Sequence, residues 1–362
     1  MLNNLKELLK KLAECPGPSG QEQQVRSLIV EELKPFCKEL REDPLGNLIA
    51  KVGADDGYKV SILAHMDEVG LIVSGIYENG LISFELLGSL DVRCLLSREV
   101  DIINLDGKLI RGVIGNGSRH LQTAERLTEQ LSHKQLWIDI GSKSLNDVLE
   151  QRISIGCGIV FSTKFHIYPN GTILGKALDN RMGCTVLIEA LKSLSSNLKT
   201  ATVLGMFTCQ EEIGAKGARV VAFDSRPQMA ITLDTVPLKN PDKLGFQDID
   251  LSRGPVIRLF DWHPSTTYGM YTHPLIKDRL VEVAQKGKIA YQVDVITNTF
   301  LDSSQVHLTA GGIPGGSICF PRRYAHCPVE VGHLNDIMGG LNLLIKFVRS
   351  LEKDPIKFGK MY

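Results

Sequence analysis

The sequence predicts an α/β fold, a mostly parallel sheet covered by helices, with a separate β-rich, barrel-like domain inserted into it. Two observations carry this. Strands of the buried type alternate with helix-spaced segments near both ends of the 362-residue chain, the pattern of a parallel sheet covered on both faces. Between them, from residue 68 to 166, helix-like spacing is sparse, and short β-like runs are separated by turns such as Glu78-Asn79-Gly80 and Gly115-Asn116-Gly117. The length also exceeds the roughly 100–200 residues of one average domain. The expected division is a discontinuous α/β domain, 1–68 with 167–362, and an inserted β-rich domain, 69–166.

The elements follow in order. Leu5, Leu8, Leu9 and Leu12 have helical spacing. Beyond the Pro16-Gly17-Pro18-Ser19-Gly20 turn, Ser19 with Glu22 three residues on reads as a capping box. The helix it opens buries Val25, Leu28, Ile29 and Leu33 and stops near Pro35. Strands are expected at 47–52 and 59–64, then within the insertion at 70–74, 81–86, 99–103, 109–114 and 156–161. After Gly171 the α/β texture resumes, with helices at 180–194, 215–222, 274–286 and 335–351. The strands between them are expected at 201–207, 229–233 and 292–296.

Bulk composition excludes several functions. Lys+Arg and Asp+Glu balance at 41 each, which removes an electrostatic reason to expect nucleic acid or an acidic membrane as partner. No apolar run approaches the ~20 residues needed to span a bilayer, and residues 1–8 interleave charge with leucine, unlike a signal peptide. The eight cysteines are scattered, with no C-x-x-C pair, and read as reduced thiols. A cytoplasmic location is the expectation.

The ionisable residues fall at telling places. The strand at 59–64 runs into His65-Met66-Asp67-Glu68, the strand at 201–207 into Cys209-Gln210-Glu211-Glu212, and the strand at 229–233 into Asp234. In open α/β sheets, sites form beyond the carboxyl ends of strands. Asp179 opens the helix at 180, and His326 follows the apolar stretch Ile318-Cys319-Phe320. Singly, each has a plain structural reading: a satisfied histidine, an N-cap aspartate, acids complementing a helix dipole, a turn cap. Together they require a common explanation, because like charges gathered at one sheet edge repel unless a cation neutralises them. Two histidines with three carboxylates match the N/O donor set of zinc, cobalt or manganese. Asp67, two residues past His65, is placed to accept the ligand's other ring N–H and fix its tautomer. Cys209 reads better as a buried apolar thiol than as a soft ligand. The histidines at 120, 133, 166, 263, 273, 307 and 333 have no comparable setting.

These motifs resemble a known family. His65-Met66-Asp67-Glu68-Val69-Gly70, Ala177-Leu178-Asp179-Asn180-Arg181, Gln210-Glu211-Glu212-Ile213-Gly214, Leu233-Asp234-Thr235 and Arg323-Tyr324-Ala325-His326-Cys327-Pro328 are similar, in order and spacing over essentially the whole chain, to the M42 metallo-aminopeptidases. The resemblance implies two divalent ions per subunit, zinc or cobalt. Asp179 would bridge them, His65 and Asp234 would complete one position, and Glu212 and His326 the other. Glu211 would not ligate but take a proton from the water held between the ions. The substrates implied are peptides with a free N-terminus. The insertion would be the subunit-contact domain of a homododecamer built from dimers, with its apolar strands, Ile114 among them, as the contact surface.

One stretch departs from the family pattern. Where members usually carry Gly-Gly-Thr-Asp-Ala, this chain has Asn298-Thr299-Phe300-Leu301-Asp302-Ser303. Asp302 is retained as a substrate-binding candidate, but bulkier neighbours predict a reshaped pocket. Some relatives are labelled as glucanases, yet no metal-free carboxylate pair suited to glycoside hydrolysis stands out. Two other readings stay open: a metal-dependent deacylase or amidase using the same site, and a catalytically silent oligomeric scaffold. Glu211 beside a complete ligand set speaks against the scaffold.

Overall fold

A computed structural model describes residues 2–118, 120, 130–196, 198–238 and 249–359. Alternating leucine and charge in α1 (Leu2–Glu14) places Leu5, Leu8, Leu9 and Leu12 on one buried stripe. In α2 (Gln23–Leu33), Val25, Ile29 and Leu33 are buried. The expected capping box is not formed: Glu22 is the N-cap of α2 but makes no side-chain cap bond. The Ser19 hydroxyl instead donates to Asp67 at 2.6 Å, and Glu22 accepts from the backbone N–H groups of Gly20 and Gln210 at 2.7 and 3.1 Å. A buried ionised carboxylate outbids a helix's first turn for a hydroxyl donor, since charge-assisted bonds are the stronger.

Strands β1 (Glu39–Glu42), β2 (Leu48–Gly53) and β3 (Tyr58–His65) begin the main sheet. The chain then leaves for the insertion: β4 (Gly70–Ile76), β5 (Ile82–Leu87), β6 (Glu99–Ile103), β7 (Leu109–Gly115), β8 (Trp137–Asp139), the short α3 (Leu145–Glu150) and β9 (Gly158–Phe161). The strands close into a barrel in the order β4-β5-β8-β7-β6-β9. Its interior is filled by Leu71, Val73, Ile82, Phe84, Val100, Ile102, Ile114, Ile138 and Ile159. Ile114 is therefore not a contact residue. Side chains alternate along a strand, and in β7 the outward positions belong to Leu109, Arg111 and Val113.

After β10 (His166–Ile167) and β11 (Thr172–Gly175) the chain re-enters the outer domain. There follow α4 (Leu178–Leu194), β12 (Ala201–Thr208), α5 (Lys216–Ser225), β13 (Met229–Pro237), β14 (Val256–His263), β15 (Tyr268–Tyr271) and α6 (Pro274–Lys286). The last elements are β16 (Gln292–Thr297), α7 (Ser303–Val306), β17 (Gly315–Arg322), β18 (Glu330–His333) and α8 (Leu334–Lys353). The nine-stranded sheet runs β1-β2-β12-β3-β13-β17-β14-β15, with β16 beside β14. Its four central strands, β12, β3, β13 and β17, are mutually parallel, and antiparallel strands flank them. Residues of α1, α2, α4, α6 and α8 pack on one face with Ile62, Phe207, Leu233 and Phe320. On the other, Ala218 and Val221 of α5 and Val306 of α7 pack with Leu63 and Met206.

The two crossings between outer domain and barrel are tied together. Buried Glu68, just before β4, accepts from Lys176 Nζ at 2.7 and 2.8 Å and from Arg181 at 3.4 Å. The Gly17 N–H donates to it as well, at 3.1 Å.

Candidate active site

The parallel register brings the carboxyl ends of the central strands level. His65 at the end of β3 pairs with Thr208 at the end of β12, and Asp234 of β13 lies one strand away. From β12 the chain turns through Gln210, at φ +57°, and so presents Glu211 and Glu212 over the sheet edge. Asp179 sits at the start of α4, where the Asn180 amide donates to the Leu233 carbonyl at 2.8 Å and its Oδ1 accepts from Gly183 N–H. The Asp179–Asn180 peptide is cis. Beyond β17, Tyr324 and His326 adopt positive φ (+61° and +54°), conformations that non-glycine residues hold only where surrounding structure fixes them.

These residues converge. His65 Nε2 lies 3.2 Å from Asp179 Oδ1 and 3.8 Å from Asp234 Oδ1. Glu211 Oε2 is 4.0 Å from the same nitrogen. On the far side, His326 Nε2 lies 3.5 Å from Asp179 Oδ2 and 3.3 Å from Glu212 Oε2. Donor atoms thus gather within 4.8 Å of one another in three groups: His65–Asp179–Asp234, Asp179–Glu212–His326 and His65–Glu211–Glu212. Asp179 belongs to the first two.

Asp67 supports the assembly from behind. It is fully buried and accepts from the Glu211 and Glu212 backbone N–H groups at 3.0 and 3.1 Å. His65 Nδ1 meets the Asp67 carbonyl at 3.1 Å, nearer than the Asp67 carboxylate at 3.5 Å. The backbone, rather than the expected carboxylate, is the closer partner of the ring.

Electrostatics fit a cation. Burial, with Asp234 and Glu212 as like-charged neighbours, holds Glu211 well above the usual carboxylate range despite His65. Burial likewise raises Glu212 to about 7 and raises Asp234. Against the depressing effect of burial, Glu212 and Asp179 push His326 up to about 9. Such groups hold protons that a metal ion displaces on binding. Glu212 Oε1 is buried with no hydrogen-bond partner among the described residues, a cost a coordinating ion removes. The donors are carboxylate oxygens and imidazole nitrogens throughout, the set suited to zinc, cobalt or manganese. Cys209 and Cys184 are buried thiols bonded to the backbone carbonyls of Leu45 and His65, and Cys327, next to His326, lies 3.7 Å from the Cys94 sulfur.

The cleft over these groups has a volume of about 480 Å³. Thr235, Pro237, His263, Asn298, Thr299, Phe300 and Leu301 form one wall, and Ser89, Leu90 and Asp91 of the barrel another. Asp302 is not on the wall. It is buried, accepts from the Thr208 hydroxyl and is raised to about 7 chiefly by burial. Its neighbours Phe300 and Leu301 face the cleft instead. Phe300 stands edge-on to His263 and Tyr268, with ring centroids 6.1 and 5.3 Å away.

Sequence reasoning passed over His263, Arg322, Glu330 and the three barrel residues. Glu330 Oε2 accepts from the Asp179 N–H at 3.0 Å, and Arg322 links Glu330 to Asp179. For Arg322 a signal existed: a charged residue ends an otherwise apolar strand, the same feature that marked His65 and Asp234. The others are joined to the site only by tertiary contact.

Comparison with known proteins agrees with this geometry. The family model described as M42 glutamyl aminopeptidase matches residues 46–343. An aminopeptidase from the archaeon Desulfurococcus kamchatkensis has a similar solved structure, with TM-score 0.89 and 32% identity over 96% of this chain and 95% of that one. The TET1 peptidase of Pyrococcus horikoshii, which can assemble into a tetrahedron or a large octahedral shell, gives TM-score 0.84 at 32% identity, covering 94% and 98%. Lysyl aminopeptidase of Pyrococcus furiosus is 28% identical over 355 residues, 97% of this chain and 98% of its own. With the family match spanning most of the chain and its acidic and histidine groups meeting at one sheet edge, this chain belongs to the M42 aminopeptidase family of peptide hydrolases.

Proposed function

We infer that this chain removes N-terminal residues from short peptides at a two-metal centre, with Glu211 as general base. The observation that carries the reading is Asp179, whose two oxygens face two separate donor groups. His65 and Asp234 would hold one ion with it, and Glu212 and His326 the other. A pair of divalent ions supplies Lewis acidity to a scissile carbonyl and brings water's ionisation toward neutral pH. Asp67 orients the Glu211–Glu212 backbone and, through its carbonyl, the His65 ring. Glu211 accepts the proton of the attacking water and returns it to the leaving amine; its raised affinity for protons suits both tasks. Asp302, behind the wall, adds to that raised affinity through its charge. The carboxylates around the cleft, Asp91 among them, favour a cationic α-amino group over an anionic one.

We read the protein as a cytoplasmic homo-oligomer, a dodecamer built from dimers, acting on peptides rather than on nucleic acid or membrane. All eight cysteines are free thiols, no described helix is long and apolar enough to cross a membrane, and the Pyrococcus horikoshii relative assembles into closed shells. The deciding experiment measures bound metal per chain and turnover on amino-acid amides against N-acyl amino acids. Two ions per chain with cleavage of the amides is the expected result. Preference for the N-acyl compounds would transfer the assignment to a deacylase, and Asp179→Ala retaining two tightly bound ions would end the bridging role.

A further inference from the structure

Arg322, the last residue of β17, carries a full charge at the floor of the cleft while only 3% exposed. Its Nε donates to the Thr235 hydroxyl at 2.7 Å, its Nη1 to Glu330 Oε1 and its Nη2 to Asp179 Oδ2. A guanidinium does not lose its proton in proteins. The positive charge is therefore permanent, and three protein acceptors hold it in place.

This makes the two oxygens of Asp179 unequal. Oδ1 faces His65 at 3.2 Å, with no cationic side chain other than that imidazole bonded to it among the described residues. Oδ2, the oxygen nearest His326 Nε2 at 3.5 Å, is already engaged by the guanidinium. The Asp179–Glu212–His326 group consequently shares a donor atom with a fixed cation, whereas the His65–Asp179–Asp234 group does not. A second positive charge within a few ångströms in a buried setting repels an incoming divalent ion strongly.

We propose that Arg322 sets the order in which the centre fills: the first ion binds at His65–Asp179–Asp234, and Arg322 holds the Glu212–His326 position at lower affinity. The proposal rests on the metal-site reading above and assigns this chain's own arginine the control of its second position. Arg322 is a positioning residue here, acting on metal occupancy through Asp179.

The test is titration of metal-free protein with cobalt(II), following the visible absorption of the bound ion and its stoichiometry by equilibrium dialysis. Wild type should fill in two resolved steps. Arg322→Gln, which keeps hydrogen-bond donors but removes the charge, should tighten the second step by about tenfold or more, while Arg322→Lys, which keeps the charge, should leave the steps separated. If Arg322→Gln does not fold, Glu212→Gln in the wild-type background decides the assignment: it should abolish the weak step and spare the tight one. Two ions binding with one affinity in wild type would overturn the proposal, as would an unchanged separation in Arg322→Gln or loss of the tight step in Glu212→Gln. Absence of any cobalt binding would overturn the metal-site reading itself, a separate and recognisable failure.

Discussion

The Nδ1 of His326 lies 2.9 Å from the backbone carbonyl of Ser89, so a residue of the inserted barrel orients a candidate metal ligand of the outer domain. A carbonyl can only accept, which places a hydrogen on Nδ1, so that Nε2, once it gives up its own proton to an incoming ion, is the nitrogen directed at the Glu212 side. The insertion thus reaches the candidate site directly.

Gly88 is the point at which that relationship can be broken. It has φ +88°, and a Cβ there would meet Val69 Cγ1 at 2.8 Å. Gly88→Ala should therefore shift the Ser89 carbonyl and cost about 1 kcal/mol of stability from the backbone strain. The expected result is several-fold lower kcat with less metal bound at the Glu212–His326 position. Unchanged kcat and metal content would show that Ser89 does not hold the ring.

Glu211→Gln removes the proton acceptor but no expected ligand. Turnover should fall by roughly 10²–10⁴-fold, the range typical of general-base loss, with metal content near that of wild type. A variant retaining more than a few per cent of the rate, or one that loses its metal, would contradict the assignment.

Asp261, which is not among the candidate ligands, gives a pH-dependent prediction. Burial raises it from 3.8 to about 7, against the pull of Arg258; its Oδ1 accepts from the Met270 N–H at 3.2 Å, and Oδ2 has no hydrogen-bond partner among the described residues. Between about pH 4 and 7 the folded state keeps a proton that the unfolded chain has lost. Stability therefore falls as pH rises through that window, and the penalty is complete above pH 7. Asp261→Asn keeps an acceptor for Met270 and removes the charge. Its urea midpoint should exceed that of wild type, by more at pH 8 than at pH 5.5. A difference that grows on acidification would reverse the sign and refute the account.

The barrel's outer surface predicts assembly. Leu109 and Val113 are 45% and 41% exposed on β7, on either side of Arg111, and exposed apolar side chains at these positions are expected to be covered where subunits meet. Leu109→Glu and Val113→Glu should lower the oligomeric state by light scattering while leaving the barrel folded. Ile114→Glu should unfold the barrel instead, since it buries an unpaired charge among Ile102 and Ile138. Wild-type protein running as a monomer at micromolar concentration would end the interface reading.

Much of the candidate site was legible because the central strands are largely apolar, and ionisable residues stand near or just beyond their carboxyl ends. His65, Glu211, Glu212 and Asp234 stand out against that background. Ser19 and Glu22 were misread because their three-residue spacing imitates a local cap, while the partner that captures Ser19, Asp67, is 48 residues away. The β14–β15 hairpin escaped notice because Arg258 and Asp261 interrupt the apolar pattern. Both are buried, and Arg258 meets Asp294 at 3.2 Å, compensation that only tertiary structure reveals. Ile114 failed by parity: a run of alternating residues reveals two faces of a strand but not which one looks inward.

The contact between Glu68 and Lys176 changes how the outer domain experiences its insertion. Because the two points of departure and return touch, the barrel is topologically a loop whose ends are already closed. Loop-closure entropy grows only with the logarithm of length, so a folded barrel burdens its host little more than a modest surface loop of the same span. The outer sheet can set β12 beside β3 in register across 135 intervening residues because that junction is fixed by two cations and one carboxylate rather than by the barrel's bulk.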